Sequence, residues 1–132
     1  MNIKPNFIIS CDQAFLTSGT NNLNLINIFT TLHSDQFPFT YHRFSLVINF
    51  DIDVLGMHPL ETRITDENGK ELIRSELKIN ISSSPFQVIA NFENFSFPAP
   101  GKFEIRVSLQ GKLIGSRVLN INSVQKQKTP TA

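Results

Sequence analysis

From Phe103 to Leu109 every second residue is apolar, with Glu104, Arg106 and Ser108 between them. Successive side chains of a strand point to opposite faces, so this run predicts a half-buried strand with one dry and one wet face. Gln110-Gly111 follows, a two-residue turn whose glycine can take the positive φ that tight hairpins need. Cross-strand pairing of the return strand sets Ile114, Ser116 and Val118 opposite Val107, Ile105 and Phe103. A bulge at Gly115-Ser116 then brings Leu119 and Ile121 to the dry face and throws Arg117 outward. A hairpin alone cannot bury its apolar row, so the chain must supply a second layer.

The same period recurs along the chain. Phe44, Leu46, Ile48, Phe50 and Ile52 alternate cleanly and predict a central core strand. Val47 falls on the outward face of that strand, which suggests that a partner or a tail covers the second face of its sheet. Further strands are expected at 7–14, 23–32, 60–65, 73–81 and 86–97, the last changing parity near Glu93-Asn94. In the second of these the doubled pairs Leu25-Ile26 and Ile28-Phe29 imply burial on both faces or a bulge. Lys70 to Lys78 could form a helix by composition, but no N-cap stands in place and period two fits better. Asp66-Glu67-Asn68-Gly69 and Ser82-Ser83-Ser84-Pro85 punctuate the chain as turns. The expected architecture is all-β: a single antiparallel two-sheet β-sandwich of seven or eight strands. It occupies residues 1–124, with 125–132 a flexible, polar and basic tail.

Composition narrows the function. At 132 residues the chain suits one domain with a core of its own. A net charge of +1 gives no electrostatic case for nucleic acid or an anionic membrane. Twelve phenylalanines against one tyrosine and no tryptophan argue for core rings rather than stacking platforms or sugar-binding surfaces. The single cysteine, Cys11, rules out an internal disulfide. The apolar run Phe7-Ile8-Ile9 is too short for a signal-peptide core, so the expected location is cytoplasmic, and the sequons at Asn80 and Asn94 are read as accidental.

The stretch Pro100-Gly101-Lys102-Phe103-Glu104-Ile105-Arg106-Val107, with Gly111-Lys112-Leu113-Ile114-Gly115-Ser116, resembles the closing hairpin of immunoglobulin-like sandwiches, filamin-type repeats included. Over nearly the whole length, Cys11-Asp12-Gln13 ahead of Leu25-Ile26-Asn27-Ile28-Phe29, the Phe37-Pro38 loop and the terminal hairpin resemble an uncharacterised family of small bacterial proteins. That resemblance implies a compact immunoglobulin-like β-sandwich and carries no catalytic residues with it.

Candidate chemistry is sparse. His33 and His42 flank one loop and His58 lies beyond it, but no HxH, HExxH or CxxC spacing accompanies them, and they read as loop histidines in solvent. Asp51 and Asp53 share a strand face and could hold calcium only with further carboxylates, for which Asp66 and Glu67 are the sole supplements and read more simply as turn formers. Cys11 sits in a strand pattern, where free cysteine behaves as a small hydrophobe. No GxSxG elbow or glycine-rich phosphate loop is present. No catalytic, cofactor or metal-binding residue is therefore assigned. Lys102, Arg106, Lys112 and Arg117, interrupted by Glu104, read as a solvated face.

The loop 33–43 is the one place where aromatics could form a contact surface: Phe37, Phe39, Tyr41, His42 and Arg43 combine the residue types that anchor protein interfaces. The competing reading is that Phe37 and Phe39 plug the open end of the sandwich. The leading functional expectation is a non-enzymatic module that binds a protein partner, or a second copy of itself, through a sheet edge or this loop. The alternatives are a small-ligand or carbohydrate binder, and a calcium-binding sandwich or small enzyme using His33 or His42 with Asp51 or Asp53.

Overall fold

The structure is a computed structural model that describes residues 1–124; the expected tail, 125–132, lies outside the described residues. Among the described residues nine strands run β1 (Ile3–Leu16), β2 (Leu23–Ile28), β3 (Thr31–Ser34), β4 (Phe39–Ile52), β5 (Gly56–Thr65), β6 (Glu71–Ile81), β7 (Phe86–Phe97), β8 (Gly101–Leu109) and β9 (Lys112–Ser123). They form a four-stranded sheet in the order β2-β1-β4-β7 and a five-stranded sheet in the order β3-β9-β8-β5-β6. No helix long and apolar enough to cross a membrane is present among the described residues.

The alternating runs land where their pattern requires. Phe44, Leu46, Ile48 and Phe50 of β4 are fully buried against Ile64, Ile105, Val107 and Leu109 of the facing sheet's inner rows. The residues 71–81 form a strand, as period two demands, and β7 changes parity at Asn94, which takes φ 51°. Beyond that point Phe95 and Phe97 face the core. The same break occurs on the paired strand: His42 and Arg43 are both exposed, after which Tyr41 and Phe39 turn to the core side.

Three expectations are corrected. The strand anticipated at 23–32 is two strands. β2 pairs antiparallel with β1, and β3 pairs parallel with β9 on the other sheet, so the five-stranded sheet is mixed and the strands number nine, not seven or eight. The physical reason lies in the doubled apolar pairs: Asn27 takes φ 53°, the chain leaves its first sheet, and Phe29 drops into the core between the layers. The loop expected at 33–43 shrinks to Asp35–Pro38, because β3 takes up His33 and β4 already begins at Phe39. In the terminal hairpin both turn residues have positive φ, 49° at Gln110 and 77° at Gly111, which is the two-residue turn that suits strand twist. Its bulge, however, is at Ile114, between the pairs Ser108–Leu113 and Val107–Gly115. Arg117 thus stands opposite Ile105 on the inner face instead of being thrown outward. Gly115 lies opposite the buried Val107 and so faces inward, where an added Cβ would come 2.9 Å from Ile8 Cδ1 and oblige that side chain to move.

Candidate interaction site

The five residues singled out in the sequence separate into two groups. Phe37, Phe39 and Tyr41 are half-buried and pack on the core. Phe39 stacks on the buried Phe97 with centroids 6.1 Å apart, and meets Phe37 and Tyr41 edge to face at 6.4 and 6.0 Å. Tyr41 in turn lies 5.5 Å from Phe29 and donates its phenol hydrogen to Asp12, which also accepts from Asn27 Nδ2 at 2.8 Å. Phe37, Phe39 and Tyr41 pack together at one end of the sandwich with part of each left exposed. His42 and Arg43 are exposed at the parity break, away from that cluster's buried face.

The residues weighed for chemistry do not assemble. His33 is on β3 of one sheet and His42 on β4 of the other. His58 is a buried residue of β5, not a loop histidine in solvent, and neither ring nitrogen has a hydrogen-bond partner among the described residues. Asp53 accepts from the Asn2 amide at 2.8 Å and Asp51 from Asn6 Nδ2 at 3.3 Å, so both fasten the N-terminal segment. Asp66 accepts from the amides of Asn68 and Lys70, the work of a turn former, and Glu67 accepts from the Lys102 amide at 2.7 Å. Among the described residues no three of His, Cys, Asp and Glu are grouped to hold a metal ion. Cys11 is fully buried; desolvation, reinforced by the Asp12 charge, pushes its thiol up and away from the nucleophilic thiolate.

The sheet order brings two edge strands together on one side of the molecule. β6 ends one sheet and β7 ends the other, and both lie on the same side of the sandwich. Between them opens a groove of about 340 Å³, lined on its floor by Leu60, Ile73, Leu77, Ala90, Phe92 and Phe95. The two edges differ in character. β6 carries Glu71, Arg74, Glu76 and Lys78, and charged side chains are a common guard against edge pairing. β7 from Phe86 to Phe92 carries no charge and no proline. Sequence reasoning found the alternation of Phe86, Val88, Ala90 and Phe92 but not its position at an edge. The available signal was the uncharged run itself, set beside the charged strand that precedes it.

These observations define the class: a two-layer β-sandwich of immunoglobulin-like form with one open side. The chain belongs to a family of unknown function (DUF6941), whose model matches residues 6–122. No curated protein matches it. Among solved structures it is similar to an immunoglobulin-like protein from Pseudomonas aeruginosa, with a TM-score of 0.52 and 13% identity over 92% of this chain and 98% of that one. It is also similar to part of the Pseudomonas fluorescens alkylpurine DNA glycosylase AlkC, solved with DNA containing an abasic site analog. There the TM-score is 0.50 and the identity 10%, over 92% of this chain and 30% of the glycosylase. At such identities the likeness is one of fold.

Proposed function

We propose that this protein is a non-enzymatic interaction module that takes up an extended segment of a partner protein as an added strand along β7. The observation that carries the reading is the unguarded edge Phe86–Phe92 beside an apolar groove. An edge strand presents a row of unpaired N–H and C=O groups, and a run this uncharged is left open to pairing unless something covers it. An added strand supplies main-chain hydrogen bonds for affinity, while every second side chain enters the groove for specificity. Leu60 and Phe92 would meet apolar side chains at that depth, so the partner segment alternates apolar and polar residues. The separation of His33 from His42, the engagement of Asp51 and Asp53 with the N-terminal segment and the raised thiol of Cys11 support a role without catalysis.

A library of displayed linear peptides selected against the full chain tests this. Selected peptides should show period-two apolar patterning, and their binding should slow hydrogen exchange at the free amides of β7. Ala90→Lys, which sets an ammonium at the edge of the groove, should weaken binding at least tenfold. Protection confined to Asp35–Pro38, or full affinity in the Ala90 variant, would refute the reading.

A further inference from the structure

Among the described residues β7 is hydrogen-bonded to β4 alone, so its other side is a free edge of the four-stranded sheet. From Phe86–Phe50 to Phe92–Phe44 that pairing runs without a break, so the free edge is regular over the same seven residues. Their order has a symmetry of its own. Phe86-Gln87-Val88-Ile89-Ala90-Asn91-Phe92 reads alike in both directions by chemical class: ring, amide, small aliphatic, isoleucine, small aliphatic, amide, ring. The nearest charge along β7, Glu93, lies just past the run, opposite Arg43 of β4.

A sequence symmetric in this way suits one kind of added strand. Two identical strands pair antiparallel about a two-fold axis perpendicular to their sheet, and directly opposite residues then have side chains on the same face. Residues of one face are two apart along a strand, so the axis must pass through a residue and not between two. With the axis at Ile89, Phe86 faces Phe92 of the second copy, Gln87 faces Asn91, Val88 faces Ala90, and Ile89 faces itself. Rings, amides and aliphatic chains each meet their own kind, and Glu93 falls opposite Pro85, away from any like charge. Moving the axis one residue either way, to Val88 or Ala90, sets Ile89 opposite an amide.

Resting on the same strand addition, we infer that the segment taken up along β7 is β7 of a second copy of this chain, paired about Ile89. The strand has the alternation that the groove calls for: Val88 and Phe92 are core residues, and Gln87 and Asn91 take the other face. Because the axis is perpendicular to the sheet, inner faces stay on one side and the open side of one sandwich meets the open side of the other. In the layer behind, β6 brings Glu71, Arg74, Glu76 and Lys78 to that side, two charges of each sign, so no net repulsion opposes the approach. Each copy then occupies the other's site, and a peptide from another protein must compete with it.

In sedimentation of the full chain from about 1 to 500 μM, the weight-average mass should rise reversibly towards that of a dimer, and a peptide selected at β7 should return it to that of a monomer. Ile89→Cys reads the register: on mild oxidation it should link to its own copy, since directly opposite side chains are about 5 Å apart at Cβ. Gln87→Cys should not link to its own copy, yet should link to Asn91→Cys when the two are mixed. The native Cys11 is fully buried and sets the background. Ile89→Lys places two ammonium groups together at the axis and should raise the dissociation constant at least tenfold, while mixing it with Ile89→Asp should restore the dimer. A chain that stays monomeric yet binds peptides at β7 overturns the inference and leaves strand addition standing; one that also binds no peptide overturns both. A dimer in which Gln87→Cys and Asn91→Cys fail to link, and which Ala90→Lys leaves intact, overturns the inference by assigning self-association to another surface.

Discussion

The two long sides of the sandwich are closed in different ways. On one side the chain itself crosses from β2 to β3. Phe29 donates its amide to the Ser10 carbonyl at 3.0 Å, Asn120 donates to the Thr30 carbonyl at 2.8 Å, and the Ser10 hydroxyl donates to the Phe29 carbonyl. Phe29 fills the gap between the layers, edge to face with Tyr41 and Phe44. On the other side β6 and β7 are joined only by the turn after Ile81, and no segment among the described residues crosses between them along their length. A sandwich must close both sides or leave core residues within reach of solvent. Here a strand that changes sheets closes the first, and the second stays open.

The largest test of that contrast is Phe29→Ala. The ring is 7% exposed, and removing it leaves a void between two layers that the crossing segment holds at fixed spacing. The expected loss is about 3–5 kcal/mol in urea unfolding. A loss below about 1.5 kcal/mol would mean that the crossing segment relaxes into the void and that the side is not rigidly closed.

Tyr41 probes the same side through pH. Desolvation, then the hydrogen bond to Asp12 and its charge, push the phenol well above its ordinary 10.0. A folded-state value raised above the unfolded one contributes stability that is fully present below pH 10 and is lost as pH rises beyond it. Tyr41→Phe should cost about 1–2 kcal/mol at pH 7, since Asp12 then keeps only Asn27 as a side-chain partner. The gap between variant and parent should narrow above pH 10, where the parent alone loses the contribution. A gap that is constant from pH 7 to 10.5 would show that the phenol titrates alike in the folded and the unfolded chain, so that the fold does not raise it.

Why some of this could be read from the sequence and some could not follows from the range over which each feature acts. Alternation in β4, β7 and β8 is local, and so is the turn at Gln110-Gly111; each is written in adjacent residues. The parity break at Asn94 was legible because apolar residues flank it on both sides. The matching break at His42-Arg43 was not, because it turned Phe37-Pro38-Phe39-Thr40-Tyr41 into a run that looks like a loop. The split at Phe29-Thr30 and the inward turn of Gly115 depend on what lies across the molecule: Ser10, Asn120 and Ile8. Edge position is likewise a property of sheet order, so β7 was recognised as a strand and missed as a site. Whether Phe37 and Phe39 plug the sandwich or face a partner is open in the sequence; in the structure Phe37 packs on Phe39 and Phe39 on Phe97, both half-buried, the latter a contact across the molecule that no local pattern encodes.

The smallest effect is expected on the open side, where one row of the five-stranded sheet contains its own control. Leu60 and Leu77 are directly opposite across β5 and β6, yet Leu60 is 2% exposed and Leu77 is 48% exposed. Leu60→Ala removes a side chain covered from every direction and should cost about 2–5 kcal/mol. Leu77→Ala removes one that covers the groove from a single side, and it should cost less than about 1 kcal/mol in the free protein. The difference belongs to the missing closure, so it should shrink once a strand is added at β7. With a selected peptide bound, Leu77→Ala should then weaken the complex by about tenfold, or about 1.4 kcal/mol, although the free fold hardly registers the change. A loss of several kcal/mol in the free protein would instead mean that Leu77 is already covered, and the two sides would be closed alike.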